Sequence, residues 1–342
     1  MRPAVLRAML MGWLRSAVSN LGSEKMKKII TIIVTLMLFT STASAQTMYL
    51  KDSAWSYTDP EIVPDYAMAI YGKSETVKVI STKTVPKMTW VPPLKSYLYS
   101  EHNQKICIVE KNGAKAYIPR SCLTTKKPQY SYKVKNCYRK LTIRKGGKIY
   151  DSPKGTKTVL TEELTVYTIG QTNYWYEFYH EGEVYFISKK SSDIISNEKS
   201  TFPKILLDGV SDSCIDRVKY QYSLIPQKIL NDIAIKAIVV SNWKGEEETI
   251  AGVVCQGHNE IWIRDDKNIR LEYALLHEIG HIYNWNHSAY HVDVVNDMDN
   301  LNLSEYHRQT DEYFAEGLVL YVRQYAMLKS TAPNLFNYYD GA

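Results

Sequence analysis

From Gln46 to about Asn197 apolar and polar positions alternate in short runs separated by Gly, Asn, Asp and Pro. That period of two predicts half-buried strands and small all-β units. Two stretches share one layout. Residues 106–118, ICIVEKNGAKAYI, read as strand, Asn112-Gly113 turn, strand; residues 175–187, WYEFYHEGEVYFI, repeat the pattern around Glu181-Gly182. Asn-Gly between alternating runs is a strong hairpin signal. Residues 141–170 add three short strands between them. Beyond residue 200 the period changes. A helix is predicted over 226–233, opening on a proline, then β-like runs over 235–241, 250–255 and 260–264. A helix over 270–285 follows, with Leu271, Ala274, Leu275, Ile279 and Ile282 on one side. A further helix over 310–327 has Phe314, Leu318, Tyr321, Val322 and Tyr325 on its apolar face. The pattern predicts a β-rich region followed by an α+β region.

The 342 residues are 45% hydrophobic and 23% charged, which excludes a disordered chain, a collagen and a disulfide miniprotein. Residues 26–45 read as a secretion signal. Lys27 and Lys28 precede the apolar run 29–39, and Ala43-Ser44-Ala45 forms a cleavage pattern before Gln46. The run is too short to span a bilayer, which takes about 20 apolar residues. Translation is expected from Met26, and the mature chain from Gln46, secreted or exposed on the cell envelope. Most of the +6 net charge sits in the leader, so a nucleic-acid partner is not expected. What remains is divided. Residues 46–200 carry 24 Lys/Arg against 15 Asp/Glu, and residues 201–342 carry 12 against 20. Such an imbalance suits two regions with different partners, and the acidic half hints at basic substrate stretches. Export permits disulfides, but five cysteines cannot all pair within the chain.

The predicted 270–285 helix carries His277-Glu278-Ile279-Gly280-His281. Residues four apart lie one turn apart on one face, so both imidazoles can reach one zinc ion. Glu278 projects beside them, placed as a general base. Zinc needs a third protein ligand, and two candidates compete. His287 lies six residues after His281, at metzincin spacing, with Asn284 where that pattern has Gly. Glu312 lies in DEYFAE at the start of the 310–327 helix, with Glu316 one turn on. One of these glutamates can bind metal while the other accepts the N–H of a ligating His. His258, His291 and His307 are expected at the surface.

HEIGH, then EYFAE about 30 residues later, then a terminal LKSTAPNLFNYYD resemble the metallopeptidase domain of anthrax lethal factor and its relatives, among them the secreted Pro-Pro endopeptidases. The resemblance covers about 202–342 and begins with IPQKIL. It implies a zincin-type fold with one catalytic Zn2+ held by His277, His281 and Glu312. It also implies Glu278 as base and Glu316 as the partner of a ligating His. Tyr306 would support the oxyanion, though it sits one position nearer the Glu than in the family. The β units at 46–128 and 129–199 resemble bacterial SH3-like repeats, the second more closely. Such modules hold cell-wall glycans or surface proteins, and Tyr174, Trp175 and Tyr176 are candidates either for such contacts or for barrel filling. The expectation is therefore a multidomain chain, SH3-like small barrels before a zinc metalloendopeptidase domain at 200–342, with a protein or peptide substrate. That substrate would extend along an edge strand formed by Glu260, Ile261, Trp262, Ile263 and Arg264, by β-augmentation. The competing reading is a cell-envelope binding protein with a vestigial zinc site.

Overall fold

Strand β1 (Gln46–Leu50) lies between β4 (Thr76–Val79) and β8 (Leu123–Thr124) in a small antiparallel sheet. A second sheet runs β3 (Ala67–Tyr71), β2 (Ala54–Tyr57), β7 (Ala114–Pro119), β6 (Ser96–Lys111), β5 (Ser81–Val91). Residues 139–199 form one seven-stranded antiparallel sheet. Its order is β11 (Lys157–Val159), β10 (Lys148–Tyr150), β14 (Glu183–Ser188), β13 (Trp175–His180), β12 (Leu164–Gln171), β9 (Arg139–Ile143), β15 (Ile194–Lys199). The computed structural model describes residues 45–63, 66–91, 96–243, 250–265, 270–287, 292–301 and 303–341. The leader lies outside these residues except for Ala45.

Both expected hairpins form. Lys111 pairs with Ala114 across Asn112 (φ 52°) and Gly113 (φ 78°). His180 pairs with Glu183 across Glu181 (φ 48°) and Gly182 (φ 85°). Two consecutive left-handed residues make the turn whose twist suits paired strands. Of the exposed-aromatic candidates, Tyr174 is exposed, Trp175 packs edge-on to Tyr150, and Tyr176 is buried.

The last sheet has β16 (Lys204–Asp208), β17 (Ala237–Ser241) and β19 (Glu260–Arg264) in parallel, with β18 (Gly252–Val254) antiparallel to β19 at the edge. The order β16-β17-β19-β18 corrects the expectation that 260–264 is an edge strand. Hydrogen-bonded neighbours occupy both sides of β19, so a substrate strand cannot add to it. Seven helices accompany this sheet among the described residues: α1 (Ser213–Leu224), α2 (Gln227–Asn231), α3 (Leu271–Asn286), α4 (Val292–Val295), α5 (Thr310–Arg323), α6 (Tyr325–Thr331) and α7 (Pro333–Asp340). Helix α1 has no counterpart in the sequence pattern, because its buried side is largely Tyr220, Gln221, Tyr222 and Ser223 rather than an aliphatic stripe. The expected 310–327 helix breaks at Gln324 (φ −133°, ψ 41°) into α5 and α6. The architecture is a β-sheet region followed by an α+β region.

One hydrophobic core runs through both. It joins Met48 and Ile70, then Tyr179 and Phe186 of the seven-stranded sheet, then Ile263, Leu275, Ile279 and Leu318. The opposite face of that sheet holds a small core of its own, including Leu141, Ile143 and Phe178. Polar ties reinforce the join. The Tyr220 hydroxyl donates to the Ile70 carbonyl (3.0 Å) and accepts from its N–H (3.1 Å), and Gln221 Nε2 donates to the Met68 carbonyl. Residues 46–342 form one compact unit. No helix among the described residues is long and apolar enough to cross a membrane, and no disulfide links the five cysteines.

Candidate metal centre

Helix α3 starts at a buried ion network. Arg217 Nε and Nη2 reach the two carboxylate oxygens of Glu272 at 2.5 and 2.8 Å, and Nη1 reaches Asp265 at 2.8 Å. Glu272 lies in the first turn, where the helix dipole favours a carboxylate. Four residues at four-residue spacing then line one face, Tyr273, His277, His281 and Trp285, with the two histidine rings edge-on to each other. Tyr273 lies parallel to His277 at 5.8 Å, and Trp285 to His281 at 5.7 Å. Helix α5 crosses α3 closely. A Cβ on Gly280 would stand 2.7 Å from the Cα and carbonyl oxygen of Ala315. Glycine is what permits this approach, and the approach brings the glutamates of α5 to the histidines of α3.

His277 Nε2 stands 2.9 Å from Glu312 Oε2, and His281 Nε2 stands 3.6 Å from Glu312 Oε1. Donor atoms of His277, His281 and Glu312 all lie within 4.8 Å of one another. Behind them, His277 Nδ1 faces Glu316 at 3.6 Å, and the Tyr273 hydroxyl donates to Glu316. His307 Nε2 is 3.4 Å from the same hydroxyl, and its Nδ1 is 3.1 Å from Ser304 Oγ. His307, expected at the surface, is therefore half-buried and part of this hydrogen-bonded group. Tyr306 is exposed and hydrogen-bonds Glu312. His287 is turned away: its ring stacks on Tyr283 at 4.1 Å, and its Nε2 lies 3.4 Å from Asp232. That placement corrects the metzincin alternative, since His287 does not join the group.

The charges are strongly coupled. Burial alone would lower His277, but hydrogen bonds to Glu312 and Glu316 outweigh it and raise its pKa to about 9. Burial and the neighbouring His277 cation push His281 down to about 4. Burial raises Glu278 to about 7, with the His277 charge and the Val254 N–H pulling the other way. Burial opposes ionisation of Glu312, yet hydrogen bonds from His277 and Tyr306 hold it below its ordinary value. Burial, and then the hydrogen bond to Glu312, lift Tyr306 to about 12. Protonation is thus favoured at His277, against the Glu312 carboxylate, and opposed at His281 beside it.

Two imidazole nitrogens and a carboxylate oxygen are a donor set that suits zinc. The residues fit such an ion: His277 and His281 are buried, His277 Nδ1 faces Glu316, His281 Nδ1 has no hydrogen-bond partner among the described residues, and the two Nε2 atoms converge on Glu312.

Glu278 lies beside β18, next to the Val254 N–H. A Cβ on Gly252 would meet Glu278 Oε1 at 2.7 Å. Glycine within a strand often marks such a close approach, so Gly252 had a legible signal. Tyr273 and Trp285 had one too, in their helical spacing from the histidines. The expected substrate contacts are corrected in part. Ile261 and Ile263 are fully buried in the core, while Glu260 and Trp262 reach solvent. No protein-family model matches the chain, and no curated protein sequence matches it.

Proposed function

We propose that the chain is an exported zinc-dependent endopeptidase, with SH3-like β units packed onto a zincin-type domain at 200–342. The observation that carries this reading is the convergence of His277, His281 and Glu312 with Glu278 one residue along α3. Those three residues would hold the ion. Zinc, when bound, supplies Lewis-acid polarisation of the scissile carbonyl and acidifies water. Glu278 takes the proton of the attacking water as its oxygen bonds to the carbonyl carbon, then gives it to the departing amine nitrogen as the C–N bond breaks. Glu316 orients His277 while Tyr273 holds Glu316. Tyr306, exposed beside Glu312, can donate to the oxyanion. The edge strand β18, rather than β19, is the element to which an extended substrate can add by β-augmentation. Extracellular or envelope proteins are the substrate class that fits an exported enzyme.

The experiment is digestion of a diverse peptide library by the zinc-loaded chain beside Glu278→Gln, read by mass spectrometry with metal content measured in both. One zinc per chain and cuts that disappear in the variant are expected, with rates down roughly 100-fold or more. Equal cutting by Glu278→Gln, or a chain that takes up no zinc, would sink the reading.

A further inference from the structure

Tyr306 has little packing to fix it. Its ring is 56% exposed, and it stands on a single 3-10 turn, Tyr306–Arg308. Exposed side chains change rotamer within nanoseconds. A tyrosine that serves the oxyanion must therefore be held in place by its neighbours. The next residue in the chain supplies such a hold.

His307 is half-buried. Its ring meets Tyr306 edge-on at 5.2 Å and lies 5.8 Å from the ring of His277 on α3. Its hydrogen bonds run in one direction. The single proton of the Tyr273 hydroxyl goes to Glu316. The Tyr273 oxygen is then left to accept from His307 Nε2, at 3.4 Å. Nε2 carries the ring proton in that arrangement, and Nδ1 accepts from the Ser304 hydroxyl at 3.1 Å. Ser304 Oγ in turn accepts the His307 N–H at 3.3 Å. The run Ser304, His307, Tyr273, Glu316 ends on the carboxylate that faces His277 Nδ1. Arg308 ties the other end of the turn to the loop before it, with Nη1 on Asp299 at 2.7 Å and Nε on the Leu303 carbonyl at 3.4 Å. His307 ties the turn to α3.

We propose that His307 is a positioning residue for Tyr306. It hangs the turn on Tyr273 and, through Tyr273, on Glu316. The Tyr306 hydroxyl is thereby kept against Glu312, where it hydrogen-bonds in the metal-free chain. Donor atoms of His277, His307 and Glu316 also lie within 4.8 Å of one another. Glu316 and both ring nitrogens of His307 are already engaged, however, so a metal ion held by that trio would have to break the run of hydrogen bonds. The catalytic consequence rests on the endopeptidase reading; the tautomer and the hydrogen bonds do not.

The test has two arms, both on the full chain. The first is long-range proton–nitrogen NMR of the metal-free, nitrogen-15-labelled chain at about pH 8, above the ordinary range of imidazole titration. The chain has eight histidines, and the signals missing from His307→Gln identify His307. The Nε2–H tautomer is expected, and Tyr273→Phe, which removes its acceptor, should mix the two tautomers. The second arm is kinetic, with zinc content measured beside it. His307→Ala should lower kcat about tenfold at unchanged KM and zinc content, and His307→Gln, which keeps a donor near the Nε2 position, should recover most of that loss. Tyr306→Phe should lower kcat about 100-fold, and adding His307→Ala to it should cost nothing more, because the two residues act as one.

An Nδ1–H tautomer, losses that multiply in the double variant, or two zinc ions per chain that fall to one in His307→Ala would each overturn the proposal. Cutting that depends on Glu278 would leave the endopeptidase reading intact in those cases. An Nε2–H tautomer beside cutting indifferent to Glu278→Gln would sink that reading and leave the run of hydrogen bonds standing.

Discussion

Replacing Gly280 by alanine sets two physical effects against each other. Helix propensity alone favours alanine in a helix interior by about 1 kcal/mol. Packing opposes it, because the new Cβ would stand 2.7 Å from Ala315 Cα and oxygen and 3.1 Å from its carbonyl carbon. Ordinary carbon contacts lie near 3.5–4.0 Å, so α3 and α5 must separate by roughly 0.8 Å. The obstacle is backbone, which cannot swing aside as a side-chain tip can. Overpacking of this kind costs about 1–3 kcal/mol, which leaves a net loss of about 1 kcal/mol after the propensity gain. The proposed metal site is the sharper reporter. His277 and His281 ride on α3 and Glu312 on α5, and ligand distances tolerate only about 0.2 Å. Zinc affinity should therefore fall about 10–100-fold, the range seen when a site's supporting shell is disturbed. Gly317→Ala is the comparator. Its Cβ would meet only side-chain atoms, Leu335 Cδ1 and Tyr339 Cε2 at 2.9 Å, on the side of α5 that packs against α7. Urea unfolding and competition against a zinc chelator measure both quantities. A Gly280→Ala chain with undiminished stability and undiminished zinc affinity would refute the account of the helix crossing.

Glu312→Gln should lose most bound zinc by mass spectrometry while His287→Ala keeps it, and the reverse pattern would restore His287 as ligand. Arg217→Ala should destabilise by about 3–5 kcal/mol, because it strands the buried Glu272 carboxylate; a loss under about 1 kcal/mol in denaturant titration would contradict this. Gly252→Ala should cut kcat about tenfold or more at full zinc content, since it presses on the proposed general base; unchanged kcat would remove β18 from the site. His277 in the metal-free chain is raised from 6.5 to about 9. Its contribution to metal-free stability is therefore fully present below pH 6.5 and lost as the pH rises through about 9. At pH 7.5 zinc must expel that proton to ligate His277. Calorimetry in two buffers of different ionisation heat should register about one proton released, and none released would refute the His277–Glu312 coupling.

The apolar alternation and the two turn pairs, Asn112-Gly113 and Glu181-Gly182, made the hairpins legible, because strand period and left-handed turn residues are local properties. HEIGH was legible on its helix for the same reason: residues four apart share a face whatever surrounds them. Glu312 and Glu316 were legible as a pair, and the resemblance drawn from HEIGH, EYFAE and the terminal segment already pointed to the three residues proposed here as ligands, which the fold brings within 4.8 Å of one another. The order of strands was not. Glu260–Arg264 reads as an edge in isolation and lies inside the sheet only because the three-residue β18 pairs beyond it. Helix α1 was hidden because tyrosines that bury against β3 and β12 look amphipathic in no simple period.

The sequence by itself determined which side chains could act, since residue type and spacing along one helix need nothing but the chain. Tertiary structure decided which of them meet. His277 and Glu312 are 35 residues apart and come together through the close crossing at Gly280 and Ala315. The same crossing leaves His287 beyond the helix end, facing Asp232. Tyr273 and His307 stand behind the proposed ligands, beside Glu316. Such meetings depend on how tightly two backbones approach and on which neighbour completes a sheet. Those are properties of packing between distant segments, and no local period encodes them.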